Sequence, residues 1–337
     1  MTRKQTRKDK RMTTNRANPR TGLSRRLFIS NTAAASAAAA LFPLTGSGVR
    51  AQEQSTGGFR FVFMPCVHLR RDLRSPEGFA SALGAVRKLS PSPDFILTGG
   101  DMCHNLRDQT LEQSEEITDR FASTLKEHCA LPVHYCLGNH DLAAWNKVAE
   151  AANDPRYGKN LMVQKFGMKN RYYSFDHAGW HFVALDYLRV TEPGTFSSEI
   201  DPDQLAWLRD DLAKNKARPA IVVTHAPVIS AVELFSDRAR RTEEALAVPF
   251  GRVISNAPAL VEAAKSGNVR AFISGHLHLV ESLELMGHHF ICSGSVSGHQ
   301  WNGPRMGTPE GFGVFDCRPD GTFAFQYQAH GWKAGQG

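Results

Sequence analysis

Dense cysteine spacing is missing from this sequence: its six cysteines (Cys66, Cys103, Cys129, Cys136, Cys292 and Cys317) are scattered along 337 residues, which excludes a small disulfide scaffold. A Pro/Ser-rich linker and an internal repeat are also absent, which argues against an array of modules. No comfortable bilayer span is present either, because the Ala-rich apolar run from Thr32 to Leu44 is too short. Excess positive charge disappears once the N-terminus is set aside. Residues 1–51 hold 11 of the 40 Lys+Arg and one of the 33 Asp+Glu, leaving 29 basic and 32 acidic residues in 52–337, a net of −3. Nothing basic is left over to argue for nucleic-acid binding.

What the N-terminus does contain is ordered. A basic stretch precedes Ser24-Arg25-Arg26-Leu27-Phe28-Ile29, the apolar run follows, and small residues at Val49-Arg50-Ala51 end it. That order describes an export signal, and the paired arginines resemble the twin-arginine type. The expectation is a signal over 1–51, the twin-arginine export machinery as a partner, and a periplasmic or secreted location. No cysteine lies near Ala51, which argues against a lipid-anchored form. An uncleaved anchor and a basic arm for nucleic acid compete, but neither accounts for the Arg pair, the apolar run and Ala51 together. The remaining 52–337 is long enough for one large α/β domain or two small ones, and one domain without a membrane span is favoured.

Along that stretch, buried-strand patterns alternate with helical ones. Phe59–Met64 reads as a first strand, and Ser75-Pro76-Glu77 opens a helix running through Phe79, Leu83 and Val86 to Leu89. Asp94–Thr98 is a second strand, Leu111–Leu125 a helix and Pro132–Leu137 a third strand. Tyr172–Phe175 and Trp180–Asp186 form a hairpin through residues 176–179. A helix follows Asp201-Pro202, then strands at Ala220–His225 and Val269–Ile273 enclose a helix at Pro258–Ala264. The rest is strand-rich. Two sheets face to face with helices outside, an α/β fold in four layers, is the economical architecture.

Five clusters fall where these strands run out: Cys66-Val67-His68, Gly99-Gly100-Asp101, Gly138-Asn139-His140-Asp141, Thr224-His225 and Gly275-His276-Leu277-His278. Carboxyl ends of strands are where open α/β sheets bind substrates. One Asp, one Asn and several His supply oxygen and imidazole donors for two adjacent cations, with an open face for a phosphate ester. A carboxylate can share its oxygens between two cations, whereas an imidazole binds one.

The clusters resemble the calcineurin-like metallophosphoesterases, whose pattern is Asp-x-His, Gly-Asp, Gly-Asn-His-Asp/Glu, a lone His and Gly-His-x-His. Four blocks agree in every key residue between 66 and 278. The resemblance implies an α/β/β/α sandwich of two mixed sheets and a dinuclear site. His68 and His278 would hold one metal, Asn139, His225 and His276 the other, and Asp101 would bridge them. A metal-bridging hydroxide would attack phosphorus while His140, oriented by Asp141, contacts the phosphoryl oxygen or protonates the leaving group. Tyr173–Phe182, Gln204–Leu208 and Cys292–Gly298 are similar to exported bacterial members related to the cyclic-AMP phosphodiesterase branch.

Cys66 departs from the pattern, standing where the family has an Asp ligand. As a thiolate it would favour zinc or iron at its site, leaving manganese possible at the other; the blander reading is a small buried hydrophobe. His104, three residues after Asp101, is a candidate catalytic contact, since related branches carry a Tyr ligand or a substrate-facing His at that offset; the alternative is a solvent-facing loop histidine. Cys103 would close a disulfide with Cys66 if the two approach. His299, Gln300, Trp301 and Asn302 are placed to line the cleft. The expected function is hydrolysis of small phosphate mono- or diesters at two divalent or trivalent ions. The competing function is a catalytically impaired protein that binds or senses a single metal.

Overall fold

A computed structural model of the chain describes residues 57–235, 240–242, 246–248 and 251–334, so the expected export signal at 1–51 lies outside the described residues. β1 (Phe59–Met64) leads through α1 (Ser75–Val86) to β2 (Phe95–Thr98), and α2 (Leu111–His128) leads to β3 (Val133–His134). Two short helices, α3 (Val148–Ala151) and α4 (Asn160–Lys165), precede the hairpins β4 (Tyr173–His177) with β5 (Trp180–Ala184) and β6 (Leu188–Glu192) with β7 (Thr195–Ser198). Then come α5 (Pro202–Lys214), β8 (Pro219–Val223), the short strands β9 (Arg240–Arg241) and β10 (Leu246–Ala247), α6 (Ala257–Ala264) and β11 (Asn268–Ser274). The described chain closes with β12 (Val280–Leu285), β13 (His288–Ser293), β14 (Gly311–Cys317) and β15 (Phe323–Ala329).

Two mixed sheets carry the fold, ordered β15-β14-β1-β2-β3 and β12-β13-β11-β8-β5-β4. Alternation along β1 decides which side faces which layer. Phe59, Phe61 and Phe63 enter the core between the sheets with Phe95, Phe182, Ile221, Ile273 and Phe315. Val62 and Met64 point the other way, onto Phe79 and Leu83 of α1 and Ile117 and Phe121 of α2. On the far side, Val222 and Phe272 pack against Leu208 and Leu212 of α5 and Leu260 of α6. The result is the expected α/β/β/α sandwich. Each fully buried ring in the middle layer stabilises it by roughly 1.5–3 kcal/mol. Among the described residues no helix is long and apolar enough to cross a membrane.

Several boundaries differ from expectation for local reasons. The third strand shrinks to Val133–His134 because the next two amides leave the ladder: Tyr135 N donates to Tyr173 Oη (2.8 Å) and Cys136 N to Thr98 Oγ1 (3.1 Å). Ser75 does not cap α1; its hydroxyl accepts from Arg70 N and donates to Arg70 O (2.8 and 2.7 Å), tying down the loop that follows His68. The first hairpin turns on two residues, Ala178 (φ 45°) and Gly179 (φ 85°), so its first strand runs on to His177, beyond the expected Phe175, while the second ends at Ala184, short of the expected Asp186.

Candidate active site

Each predicted donor segment leaves the carboxyl end of a strand: Cys66 and His68 after β1, Asp101 after β2, Asn139 and His140 after β3, His225 after β8, His276 and His278 after β11. Parallel pairing of β1-β2-β3 and of β8-β11 brings these ends to the same edge of each sheet. The loops are bent hard. Cys66 (57°), His68 (47°), Asp101 (54°), His276 (67°) and His278 (60°) all have positive φ, a conformation that costs a residue with a Cβ about 1–2 kcal/mol.

Hydrogen bonds hold the bends. Cys66 N donates to Gly100 O (2.9 Å) and His68 N to Asp101 O (2.8 Å). Cys66 O accepts from the hydroxyls of Ser295 (3.0 Å) and Ser297 (2.8 Å), and Trp301 Nε1 donates to His68 O (3.2 Å). At Gly138 a Cβ would sit 2.2 Å from Asp101 Oδ1, so glycine there lets the third loop reach the carboxylate.

Donor atoms converge on two points. His68 Nε2 lies 3.1 Å from His278 Nε2 and 3.6 Å from Asp101 Oδ2; His225 Nε2 lies 3.1 Å from His276 Nδ1 and 3.0 Å from the same Asp101 oxygen. Tautomers follow from the opposite ring edges. His278 Nδ1 donates to Gly298 O (2.5 Å), which leaves its Nε2 with a lone pair toward the cluster, and His225 Nδ1 donates to Gly99 O (2.7 Å), which turns its Nε2 toward Asp101. Cys66 Sγ groups within 4.8 Å with His68 and His278 and, separately, with Asp101 and His225; it accepts from His276 N at 3.1 Å. Asn139 joins through Tyr187, whose Oη donates to Asn139 Oδ1 (3.0 Å) while its ring packs on His225 and His276.

Burial sets the charges. It holds the imidazoles of His68 and His276 well below their ordinary pKa and that of His278 at about 3. Arg252 further depresses His276. Burial would lift Asp101, yet His225, His140 and His68 keep its carboxyl well below the usual range, and Asp101 in turn raises His225 against its own desolvation. The Cys66 thiol is pushed up by burial and by Asp101. Neutral imidazoles at His68, His276 and His278, the ion-paired His225 and Asp101, and a protonated thiol are aimed at shared points and form a donor set that fits two cations; binding would displace the protons of Cys66 and of His225 Nε2.

His104 and His140 stand beside this set. Their rings stack at 5.4 Å, and His104 Nδ1 is 3.4 Å from His68 Nδ1, so His104 is half-buried rather than solvent-facing. Asp141 requires a correction. Its carboxylate accepts from Cys103 N (3.1 Å) and Gly138 N (2.9 Å), behind the cavity, while His140 Nδ1 accepts from the backbone N–H of Asn105 (3.1 Å). Asp141 therefore clamps two loops, and Asn105 orients the ring. Cys103 also differs from expectation: its thiol faces Thr118 Oγ1 at 4.0 Å in the outer core, and both Cys66 and Cys103 are free.

The cluster opens into a cavity of about 310 Å³ lined by His68, Asp101, His140, Arg252, His276, Leu277, His278, His299, Gln300 and Arg305. Of the four residues expected after the Gly/Ser turn, His299 and Gln300 reach it. Trp301 is buried beneath His68 and Asn302 is exposed.

The family model for calcineurin-like phosphoesterases matches residues 59–280, spanning all five clusters. The chain belongs to the calcineurin-like phosphoesterase family. Purple acid phosphatase 22 of Arabidopsis thaliana is 30% identical over 217 residues, 62% of this chain and 43% of that protein; the chain thus spans under half of that relative. A dimetal phosphatase from Danio rerio shares the fold at TM-score 0.56 and 16% identity, covering 81% of this chain and 96% of its own. The purple acid phosphatase PPD1 from yellow lupin seeds does so at TM-score 0.51 and 14% identity, covering 82% and 52%. The family uses divalent metals.

Four contributors to this candidate site escape the sequence reading. Asn105 acts through a main-chain N–H that any residue but proline carries. Tyr187 lies just past a strand end and contacts Asn139 only through the fold. Arg252 and Arg305 sit in loops with no local pattern, although an arginine near a phosphate site is a composition signal worth testing.

Proposed function

We propose that this chain hydrolyses phosphate mono- or diesters at a dinuclear metal site. The observation that carries the reading is the pair of nitrogen-to-nitrogen approaches at 3.1 Å, His68 to His278 and His225 to His276, flanking one oxygen of Asp101. Four imidazole nitrogens gathered in two pairs around one carboxylate oxygen give each of two cations a nitrogen pair and a shared oxygen. Cys66, His68 and His278 would hold one ion, Asn139, His225 and His276 the other, with Asp101 shared. A thiolate at Cys66 favours zinc or iron there, and the all-oxygen-and-imidazole set admits manganese. Bound cations supply Lewis acidity toward the phosphoryl group and an activated water.

The chain's own groups do the rest. Asn105 N–H fixes His140 with its proton on Nε2, the edge free of that bond, so the neutral ring can donate to a phosphoryl or leaving-group oxygen. His104, half-buried and stacked on His140, limits the orientations open to that ring. Export through the twin-arginine route to the periplasm completes the proposal, on the strength of Arg25-Arg26 and the apolar run that follows.

The test is turnover of p-nitrophenyl phosphate and of bis-p-nitrophenyl phosphate by the metal-loaded protein, with elemental analysis alongside. Two metal ions per chain and hydrolysis lost on chelation are expected. Loaded protein that cleaves neither ester and holds one ion would favour the single-metal binder instead.

A further inference from the structure

Glu233 sits in the short 3-10 turn Val232–Phe235 and is 1% exposed. Its Oε1 accepts from Nε (3.0 Å) and Nη2 (2.7 Å) of Arg252, while Oε2 is buried with no hydrogen-bond partner among the described residues. A carboxylate taken this far out of water holds tightly to its one cation, because losing it would leave a bare buried charge. Arg252 is thereby fixed from one side. Arg252 also lines the cavity with His68, His140 and His276, and its Nη1 takes no part in the two hydrogen bonds to Glu233.

We infer that Arg252, positioned by Glu233, is a specificity-determining residue that grips a terminal oxygen of a phosphomonoester and so favours dianionic monoesters over diesters. This inference rests on the hydrolase reading above and narrows its substrate class. A monoester presents three terminal oxygens carrying two charges, so one would remain for Arg252 if the bound cations and His140 took the others. A diester replaces that oxygen with an uncharged ester group, which leaves the guanidinium desolvated against a poor acceptor. At about 310 Å³ the cavity is also at the small end for ligand sites, which suits one phosphoryl group and a compact leaving group.

The experiment compares p-nitrophenyl phosphate with methyl p-nitrophenyl phosphate, which share a leaving group, on metal-loaded wild type, Arg252→Gln, Arg252→Lys and Glu233→Gln. In parallel, inorganic phosphate is titrated calorimetrically into each protein. Arg252→Gln should lower the monoester-to-diester ratio of kcat/KM about 10- to 100-fold and weaken phosphate binding by a similar factor. Glu233→Gln, acting through Arg252, should move both in the same direction by less. Arg252→Lys keeps the charge without the fork and should fall between, which decides the matter if the Gln protein fails to fold. Unchanged phosphate affinity in both Arg252 variants, or equal losses on the two esters, would overturn the inference. If wild type cleaves neither ester, the hydrolase reading fails, and the phosphate titration alone still tests the anion grip of Arg252.

Discussion

The backbone N–H of Asn105 donates to Nδ1 of His140 at 3.1 Å. One hydrogen bond therefore chooses the tautomer of a ring that lines the cavity, and burial lowers its pKa so that it stays neutral at physiological pH. Replacing His140 by Ala should lower kcat by about 100-fold or more while metal content and melting temperature hold, the size expected for a positioned acid or hydrogen-bond donor. Steady-state kinetics with elemental analysis checks this. A variant that loses its metal along with its activity would place His140 among the ligands instead.

Tyr187 is buried and, with its own proton held firmly by desolvation, donates to Asn139 Oδ1 at 3.0 Å. Tyr187→Phe keeps the ring packing on His225 and deletes only this bond. The affinity of the Asn139 ion should fall about 10- to 100-fold, the scale for partners that orient a ligand, while the Cys66 ion is retained. Sequential metal titration reads the two sites separately. Two sites weakened alike would refute a local role for the tyrosine.

The fold was readable where one segment carries its own instructions. Phe59–Met64 is apolar at every position but Arg60 because both of its faces are covered from Phe61 onward, and the five clusters stand out because contiguous residues such as Gly138-Asn139-His140 supply turn and donors together. What stayed hidden depends on partners far away in sequence. The hairpin of β6 and β7 lacks an apolar stripe, since Arg189, Val190 and Thr191 are exposed. The strand over Pro132–Leu137 was overestimated because two side chains, Thr98 and Tyr173, take the amides that a ladder would have used. Asp141 reads as a catalytic neighbour of His140 in sequence, yet adjacent side chains on a bent loop diverge, and its oxygens meet Gly138 N and Cys103 N.

Without metal, the histidine cluster should make stability fall in acid. Burial depresses His278 to about 3 and His104 to about 4, and His68 and His276 lie well below their ordinary range. An unfolded chain binds those protons near pH 6.5, so unfolding takes up protons and stability drops as pH falls below that value. Asp141, lifted to about 7 by burial and by the charge of Asp101, works in the opposite sense, as does the raised His225. The depressed histidines outnumber them. Metal-stripped protein should therefore melt at lower temperature at pH 5 than at pH 7.5. Thermal melts across that range would contradict the balance if the stripped protein were equally stable or more stable in acid.

Cys66 is the residue whose chemistry most changes what the site can hold. Its thiol is buried, raised by desolvation and by Asp101, and receives His276 N–H at 3.1 Å. A neutral thiol in that position is inert, whereas a soft cation that displaces the proton turns it into a ligand. Cobalt-loaded wild type should then show a thiolate-to-metal charge-transfer band in the near ultraviolet, which Cys66→Ser and Cys66→Asp both abolish. Cys66→Asp should still bind two ions, with its preference moved from zinc toward manganese, because carboxylate oxygen is the harder donor. Cys66→Ser should lose zinc affinity at that site by at least about tenfold, since a serine hydroxyl does not ionise as a thiol does. A cobalt spectrum identical in wild type and Cys66→Ser would mean that sulfur never touches the metal, and that Cys66 serves only to fill the floor of the site beneath His276.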